Sequence, residues 1–277
     1  MPALHLVDPC AALREHVLCY VVRDEAAAKQ TPPEAQFPAH TISVLALLHE
    51  GRIEAPDHGR DFAECTLLGL QPKPYRLKYV SLPQSTSVLL RAGRAGELLG
   101  LPPADMAGCV LDARAAIPSL ALQVLMHRAR HARSVQERVG ALEAYLLNRL
   151  DRRTALPAWA DALLALGPEI ARRPVAELGE RLQLSTRQLQ RCFGELFGVP
   201  PKTYQRIARA QTALRGLHAP GGTPLPELAE ACGFSDHAHL SRELRDAAGH
   251  APAALRRAFE RQWPALAPLA ALLAANL

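Results

Sequence analysis

Between about Arg14 and Ile117 the apolar positions come in short runs, HVLCYVV, TISVLALL, TLLGL, YRLKYVSL and STSVLLRAG, rich in Leu and β-branched residues. Pro and Gly clusters in TPPEAQFP, APDHGR, QPKP and LPPAD separate them. Short apolar runs bounded by turn formers are the mark of strands, so this stretch predicts a strand-rich domain, a sandwich or small barrel. Beyond Pro118 the period lengthens. Leu122, Leu125, Met126 and Ala129 share one helical face, Val135, Val139, Leu142 and Leu146 another, and Ser134 with Glu137 has the spacing of a capping box between them.

The last hundred residues repeat one pattern. VAELGERLQLSTRQLQRCFGELFG, residues 175–198, is echoed by LPELAEACGFSDHAHLSRELRDAAG, residues 225–249. Leu178 matches Leu228 at an offset of 50, whereas Leu189 with Leu240, Arg191 with Arg242 and Gly198 with Gly249 match at 51. One residue has therefore been gained in the second turn. A duplicated helical unit constrains architecture before any single residue is interpreted, and each copy reads as a helix-turn-helix.

In the first copy Pro174 suits a first helical turn, where its missing N–H is no loss, and Val175, Leu178 and Leu182 form the inward stripe. Ser185 and Gln188 predict a capping box that starts a second helix with Leu189, Phe193 and Leu196 inward. Its other face carries Thr186, Arg187, Gln190 and Arg191. Arg pairs bidentately with guanine and Gln with adenine in the major groove, and Thr contacts a methyl or a phosphate. In the second copy Thr223 and Pro224 open a helix that buries Leu225, Leu228 and Cys232 or Phe234. Asp236 or Ser235 caps the next helix, whose outer residues are His237, Ala238, His239, Ser241 and Arg242. That set is poorer in base-reading groups and suits backbone contacts. His237 and His239 lie about 200° apart around a helix and do not converge on one ion. Residues 202–217 read as a spacer helix of 16 residues, roughly 24 Å long, with Arg206 and Arg209 as candidate phosphate contacts.

The polar, Pro-terminated segment DRRTALP at 151–157 is the candidate linker. The expected division is a β-rich sensor or dimerisation domain at 1–118, a helical connector and linker at 119–157, an all-α DNA-binding domain at 158–262 and an apolar tail at 263–277. The tail is expected to be helical and is too short to span a bilayer. Charge agrees with this division: residues 172–261 hold 14 Lys/Arg against 9 Asp/Glu, and the remainder 18 against 18. A basic half beside a neutral one fits a polyanion-binding module attached to something else. The six cysteines are scattered and form no C-x-x-C pair, which indicates neither a zinc site nor a disulfide framework. No signal peptide or membrane span is apparent, so a cytoplasmic protein is expected.

The matching runs LSTRQLQRCFGELFGVPP and ELAEACGFSDHAHLSRELRDAAGHAP resemble the AraC/XylS family of bacterial transcription regulators. The resemblance covers about a hundred residues with the spacing intact. Gly179 departs from it where a small Ala is usual, and Leu240, Leu244 and Leu255 stand where aromatic residues are common. It implies base contacts at Arg187, Gln190 and Arg191, and in the second copy at His237, Ala238, His239, Ser241 and Arg242, although Ala238 has no hydrogen-bonding side chain. FPAHTISVLALLHEG, TLLGLQPKPY and SVLLRAGRAGELLGLPPADMAGCVLDA resemble the divergent cupin-like sensor domain of some members. His40, His49 and His58 are isolated, which does not match a metal-binding cupin.

The fold class expected is therefore α+β with two domains: a mainly-β, cupin-like barrel domain with following helices, then two helix-turn-helix units joined by a spacer helix. The expected function is a sequence-specific regulator, not an enzyme, with no cofactor or metal. Promoter DNA is the partner, RNA polymerase and a small-molecule effector are further candidates, and the chain is expected to form a homodimer. Two alternatives stand beside it: an architectural DNA binder without sensing, and a DNA-alkylation-repair methyl acceptor. The latter needs a thiolate cluster that Cys10, Cys19, Cys65 and Cys109 are not spaced to form.

Overall fold

The computed structural model describes residues 4–219 and 223–261. The expected tail helix lies outside them. Ten strands occupy the N-terminal part: β1 (His5–Val7), β2 (Val17–Arg23), β3 (Glu34–Phe37), β4 (Ser43–Glu50), β5 (Ile53–Ala55), β6 (Arg60–Asp61), β7 (Cys65–Leu68), β8 (Tyr75–Tyr79), β9 (Gln84–Leu90) and β10 (Val110–Asp112). They form a six-stranded sheet in the order β1-β2-β9-β4-β7-β10 and a four-stranded sheet in the order β3-β8-β5-β6. Neighbouring strands pair antiparallel throughout, as at Leu45↔Val88 and Phe37↔Tyr75. The strand-rich domain expected from the apolar runs is present.

The six-stranded sheet is buried on both faces. One face contributes Val21, Leu68 and Leu89 to a cluster with Phe37, Ile53, Tyr75 and Leu77 of the smaller sheet. The other contributes Tyr20, Val22, Leu45, Leu67, Val88 and Leu90 to a second cluster. Two-sided burial explains why runs such as HVLCYVV are nearly continuous, whereas β8, with one wet face, alternates strictly: Tyr75, Leu77 and Tyr79 point inward and Arg76 and Lys78 outward.

Four short helices, α1 (Glu25–Lys29), α2 (Ala95–Leu99), α3 (Pro103–Met106) and α4 (Ala113–Ala116), lie between or after the strands. Next come α5 (Leu120–His131) and α6 (Val135–Asp151). These two pack on each other and cover the second face of the larger sheet through Leu122, Leu125, Ala129, Val139, Leu142 and Leu146. Ser134 caps α6, accepting from the Glu137 N–H at 3.1 Å, while the Glu137 carboxylate accepts from the Arg133 N–H at 2.7 Å rather than from Ser134.

The C-terminal part is helical: α7 (Ala158–Ala165), α8 (Glu169–Arg172), α9 (Val175–Leu182), α10 (Thr186–Phe197), α11 (Pro201–His218), α12 (Leu225–Ala231), α13 (His237–Ala248) and α14 (Pro252–Arg261). Helix α11 is the spine. Its first half places Tyr204, Ile207 and Ala208 in the core of the first unit, and its second half places Ala213, Leu214 and Leu217 in that of the second. At 18 residues it spans about 27 Å, one residue longer at each end than the expected 202–217. Among the described residues no helix is long and apolar enough to cross a membrane.

Candidate nucleic-acid interface

Each repeat unit is a helix, a turn in left-handed backbone and a second helix. In the first, α9 ends at Gln183 with φ 56°, and the Leu184 N–H donates to the Gly179 carbonyl at 2.8 Å. In the second, Gly233 has φ 73° and the Phe234 N–H donates to the Ala229 carbonyl at 2.8 Å. The same bond therefore recurs at an offset of 50. The departure at Gly179 has a local cause, since a Cβ there would lie 2.7 Å from the Leu184 carbonyl oxygen.

The inserted residue falls immediately after this shared bond. In the first unit Leu184 is followed directly by the cap Ser185, whose side chain and that of Gln188 complete a capping box. In the second, Ser235 intervenes and Asp236 becomes the cap, accepting from the His239 N–H at 2.7 Å. From there on the two helices match at an offset of 51.

Helix α10 buries Leu189 and Phe193 completely, with Cys192, Leu196 and Phe197 beside them. Burial of a Leu or Phe side chain stabilises by roughly 1.5–3 kcal/mol, which fixes the helix's rotation and so the direction of its other face. Thr186, Arg187, Gln190 and Arg191 are all exposed on that face. Among the described residues their one ion pair, Arg191 with Glu195 at 3.5 Å, is between exposed side chains, a class worth at most ~1 kcal/mol and readily exchanged for a phosphate or a base.

Helix α13 offers less. His237, Ala238 and Arg242 are exposed. His239 is half-buried, edge-on to Phe234 at 5.3 Å between ring centroids and 3.1 Å from the Ser235 hydroxyl. The Ser241 hydroxyl donates to the His237 carbonyl at 2.7 Å. Both side chains are thus occupied within their own unit.

The spacer arginines are directed into the protein. Arg206 donates to the Pro72 carbonyl of the β domain at 3.3 Å. The Arg209 guanidinium lies 5.7 Å from the Phe234 ring centroid, and its Nε is buried without a hydrogen-bond partner. On the β domain His40, His49 and His58 go to different partners: Ile42 and Tyr75, Thr86, and Gln71. Among the described residues no group of His, Cys, Asp and Glu is arranged to hold a metal ion.

Both outward-facing helices are anchored at their C-terminal ends, a feature that had no signal in the repeat. Gly198 ends α10 at φ 78°, and a Cβ there would lie 2.3 Å from the Pro103 carbonyl oxygen of α3. Gly249 ends α13 at φ 76°, and a Cβ there would lie 1.9 Å from Gln36 Nε2. Beside it the Ala39 N–H donates to the Ala247 carbonyl at 2.7 Å and Gln36 to the Ala248 carbonyl at 3.1 Å. Thr41 donates through its N–H and its hydroxyl to Gln211 Oε1 of α11 at 3.2 and 3.1 Å. Gln205, also on α11, donates to the carbonyls of Ile170 and Arg173 at 2.8 and 2.7 Å, tying α8 to the spine. The sequence signal for Gln205 and Gln211 was amide side chains within the apolar stripe of α11. Held at the far end, α10 presents its N-terminal turn, where the positive dipole end and the neutral Ser185 cap favour phosphate, whereas the Asp236 carboxylate occupies the N-terminus of α13.

Two stacked helix-turn-helix units on a common spine define a DNA-binding domain. A helix-turn-helix domain family model matches residues 178–258, and this part of the chain is a domain of that kind. It is similar to the transcriptional activators RhaS of Pectobacterium carotovorum subsp. carotovorum, 36% identical over 86 residues, and of Pectobacterium atrosepticum, 35% identical over 86. These alignments cover 31% of this chain and 30% of the relatives' length. Among solved structures, ToxT from Vibrio cholerae matches 82% of this chain and 95% of its own at a TM-score of 0.46 and 12% identity. The AraC-like transcriptional activator CuxR matches 74% and 75% at a TM-score of 0.23 and 18% identity.

Proposed function

We propose that the protein is a sequence-specific transcription regulator of the AraC/XylS type. Its division would be a sensing or dimerisation domain at 1–118, a helical connector at 119–157 and the DNA-reading domain at 158–262, with promoter DNA as partner. The observation that carries this reading is the exposed Thr186, Arg187, Gln190 and Arg191 face on a helix whose rotation is fixed by buried Leu189 and Phe193. Specificity resides mainly in α10. The α13 unit contributes Arg242, His237 and backbone contacts, since His239 and Ser241 already have partners of their own. RNA polymerase is a further partner of such a regulator.

Selection of bound sequences from a random DNA pool, then footprinting with Arg187→Ala and Arg191→Ala, tests the assignment. Loss of a bidentate base contact weakens the selected site by about 1–3 kcal/mol and relaxes preference at one position. If both variants keep the selected site and its salt dependence, α10 is not the reading helix.

A homodimer is proposed through α5, where Leu120 and Val124 are exposed although both are large and apolar. A full chain that sediments as a monomer at micromolar concentration removes that part. The alkylation-repair alternative is disfavoured by the thiols themselves. Cys19 and Cys65 lie in different apolar clusters and burial pushes both up to about 12, away from the thiolate such chemistry uses.

A further inference from the structure

The two sheets enclose a cavity of about 80 Å³ lined by apolar side chains including Phe37, Val44, Leu48, Ile53 and Phe62. One water needs ~10–15 Å³ on the same measure, so the space accepts a molecule of several heavy atoms. Into this lining projects Arg23, the last residue of β2, whose register opposes Ser85 of β9 on the cavity wall. Arg23 is 7% exposed. Its guanidinium lies 4.9 Å from the Tyr79 ring centroid, and its Nε is buried without a hydrogen-bond partner. No carboxylate among the described residues pairs with it.

A buried cation that faces an aromatic ring and lacks an anion is unfavourable unless something else supplies the charge. We propose that this cavity is a binding site for a small organic carboxylate with a compact apolar body, its carboxylate held by Arg23 and its body packed between the sheets. A single guanidinium offsets one negative charge, and its planar fork matches a carboxylate in two-point geometry. The apolar lining excludes a polyanion or a free sugar, which would leave many polar groups without partners. Ser85 and Ser87, on alternate positions of β9, supply hydroxyls on the same wall.

The site adjoins the anchor of the DNA-binding domain. Phe37 and His40 line the cavity, while Gln36, Ala39 and Thr41, interleaved with them, bond to α13 and α11. Occupancy is therefore felt where the second unit is held. This consequence rests on the DNA-binding reading; the binding site itself does not.

Isothermal titration of the full chain with hexanoate and benzoate, against hexan-1-ol and benzamide as uncharged counterparts, tests the proposal without DNA. The carboxylates bind saturably and raise the melting temperature, and the uncharged pair binds at least about tenfold more weakly. Arg23→Leu melts no lower than the wild type, because it removes an unpaired buried charge, and it loses the preference for carboxylate; Arg23→Lys retains part of it. Equal binding of charged and uncharged partners, no saturable carboxylate binding up to about 10 mM, or an unchanged preference in Arg23→Leu each overturns the assignment. Carboxylate binding that leaves affinity for the selected DNA unchanged refutes only the coupling.

Discussion

His40 stands where the cavity wall meets the segment that holds the DNA-binding domain, and its burial makes a quantitative prediction about acid stability. Its Nδ1 is 3.0 Å from the Ile42 carbonyl and its Nε2 3.3 Å from the Tyr75 hydroxyl. The ring thus donates from Nδ1 and accepts at Nε2, which is the neutral form. Burial pushes its pKa from 6.5 down to about 4, against the opposing effect of the bond to Ile42. Above pH 6.5 the ring is neutral folded and unfolded, and it contributes no pH dependence. Between 6.5 and about 4 the unfolded chain takes up a proton that the folded one does not, so stability falls with pH across that window. At 1.36 kcal/mol per pH unit the loss totals about 3 kcal/mol, a large share of a typical ~5–15 kcal/mol.

Urea unfolding of the wild type and His40→Gln, at pH values from about 7.5 to about 4.5, reads this out. The variant begins less stable, and the gap closes as pH falls, because the wild type loses about 2–3 kcal/mol more. His49, which burial and then Arg138 and Arg130 also push down to about 4, titrates in both proteins and cancels in the difference. Stability curves that stay parallel over the range would falsify the buried neutral assignment.

The two glycines that end the outward-facing helices differ in what they meet, and their alanine variants are ranked accordingly. Both pay about 1–2 kcal/mol for left-handed backbone, but Gly198 faces the backbone oxygen of Pro103 and Gly249 only the end of the Gln36 side chain. Gly198→Ala is therefore the more destabilising in thermal melts, and the reverse order would contradict this packing. Gln183→Gly is expected to stabilise by about 0.5–1 kcal/mol: it relieves a non-glycine residue at φ 56° where the second unit has Gly233, offset in part by glycine's chain entropy. A lowered melting temperature counts against it.

How much was legible in the sequence varied with the range of the contact. The capping box at Ser185 and Gln188, the inward Leu189 and Phe193 and the residue gained in the second turn are local, set by spacing within a few residues, and all appear as expected. The choice of Asp236 over Ser235 as cap stayed open in the sequence, because either residue type caps. The spacer arginines show the opposite case. On an isolated helix Arg206 is simply a cation free to meet phosphate, but it reaches the carbonyl of Pro72, 134 residues away. His239 and Ser241 occupy the helix expected of them, yet their partners Phe234, Ser235 and the His237 carbonyl direct them inward.

The sequence by itself determined the duplicated unit, the exposed face of its second helix and the strand-rich character of the first half, because periodicity, caps and turn formers act over a few residues and leave a pattern in one dimension. Only the tertiary structure decided that α5 and α6 cover the larger sheet. It also decided that both outward-facing helices are anchored at their C-terminal glycines and that Arg23 ends without a partner inside an apolar cavity. These depend on which distant surfaces meet, and a side chain's charge, size and rotamer say nothing about its neighbour until the chain has closed around it.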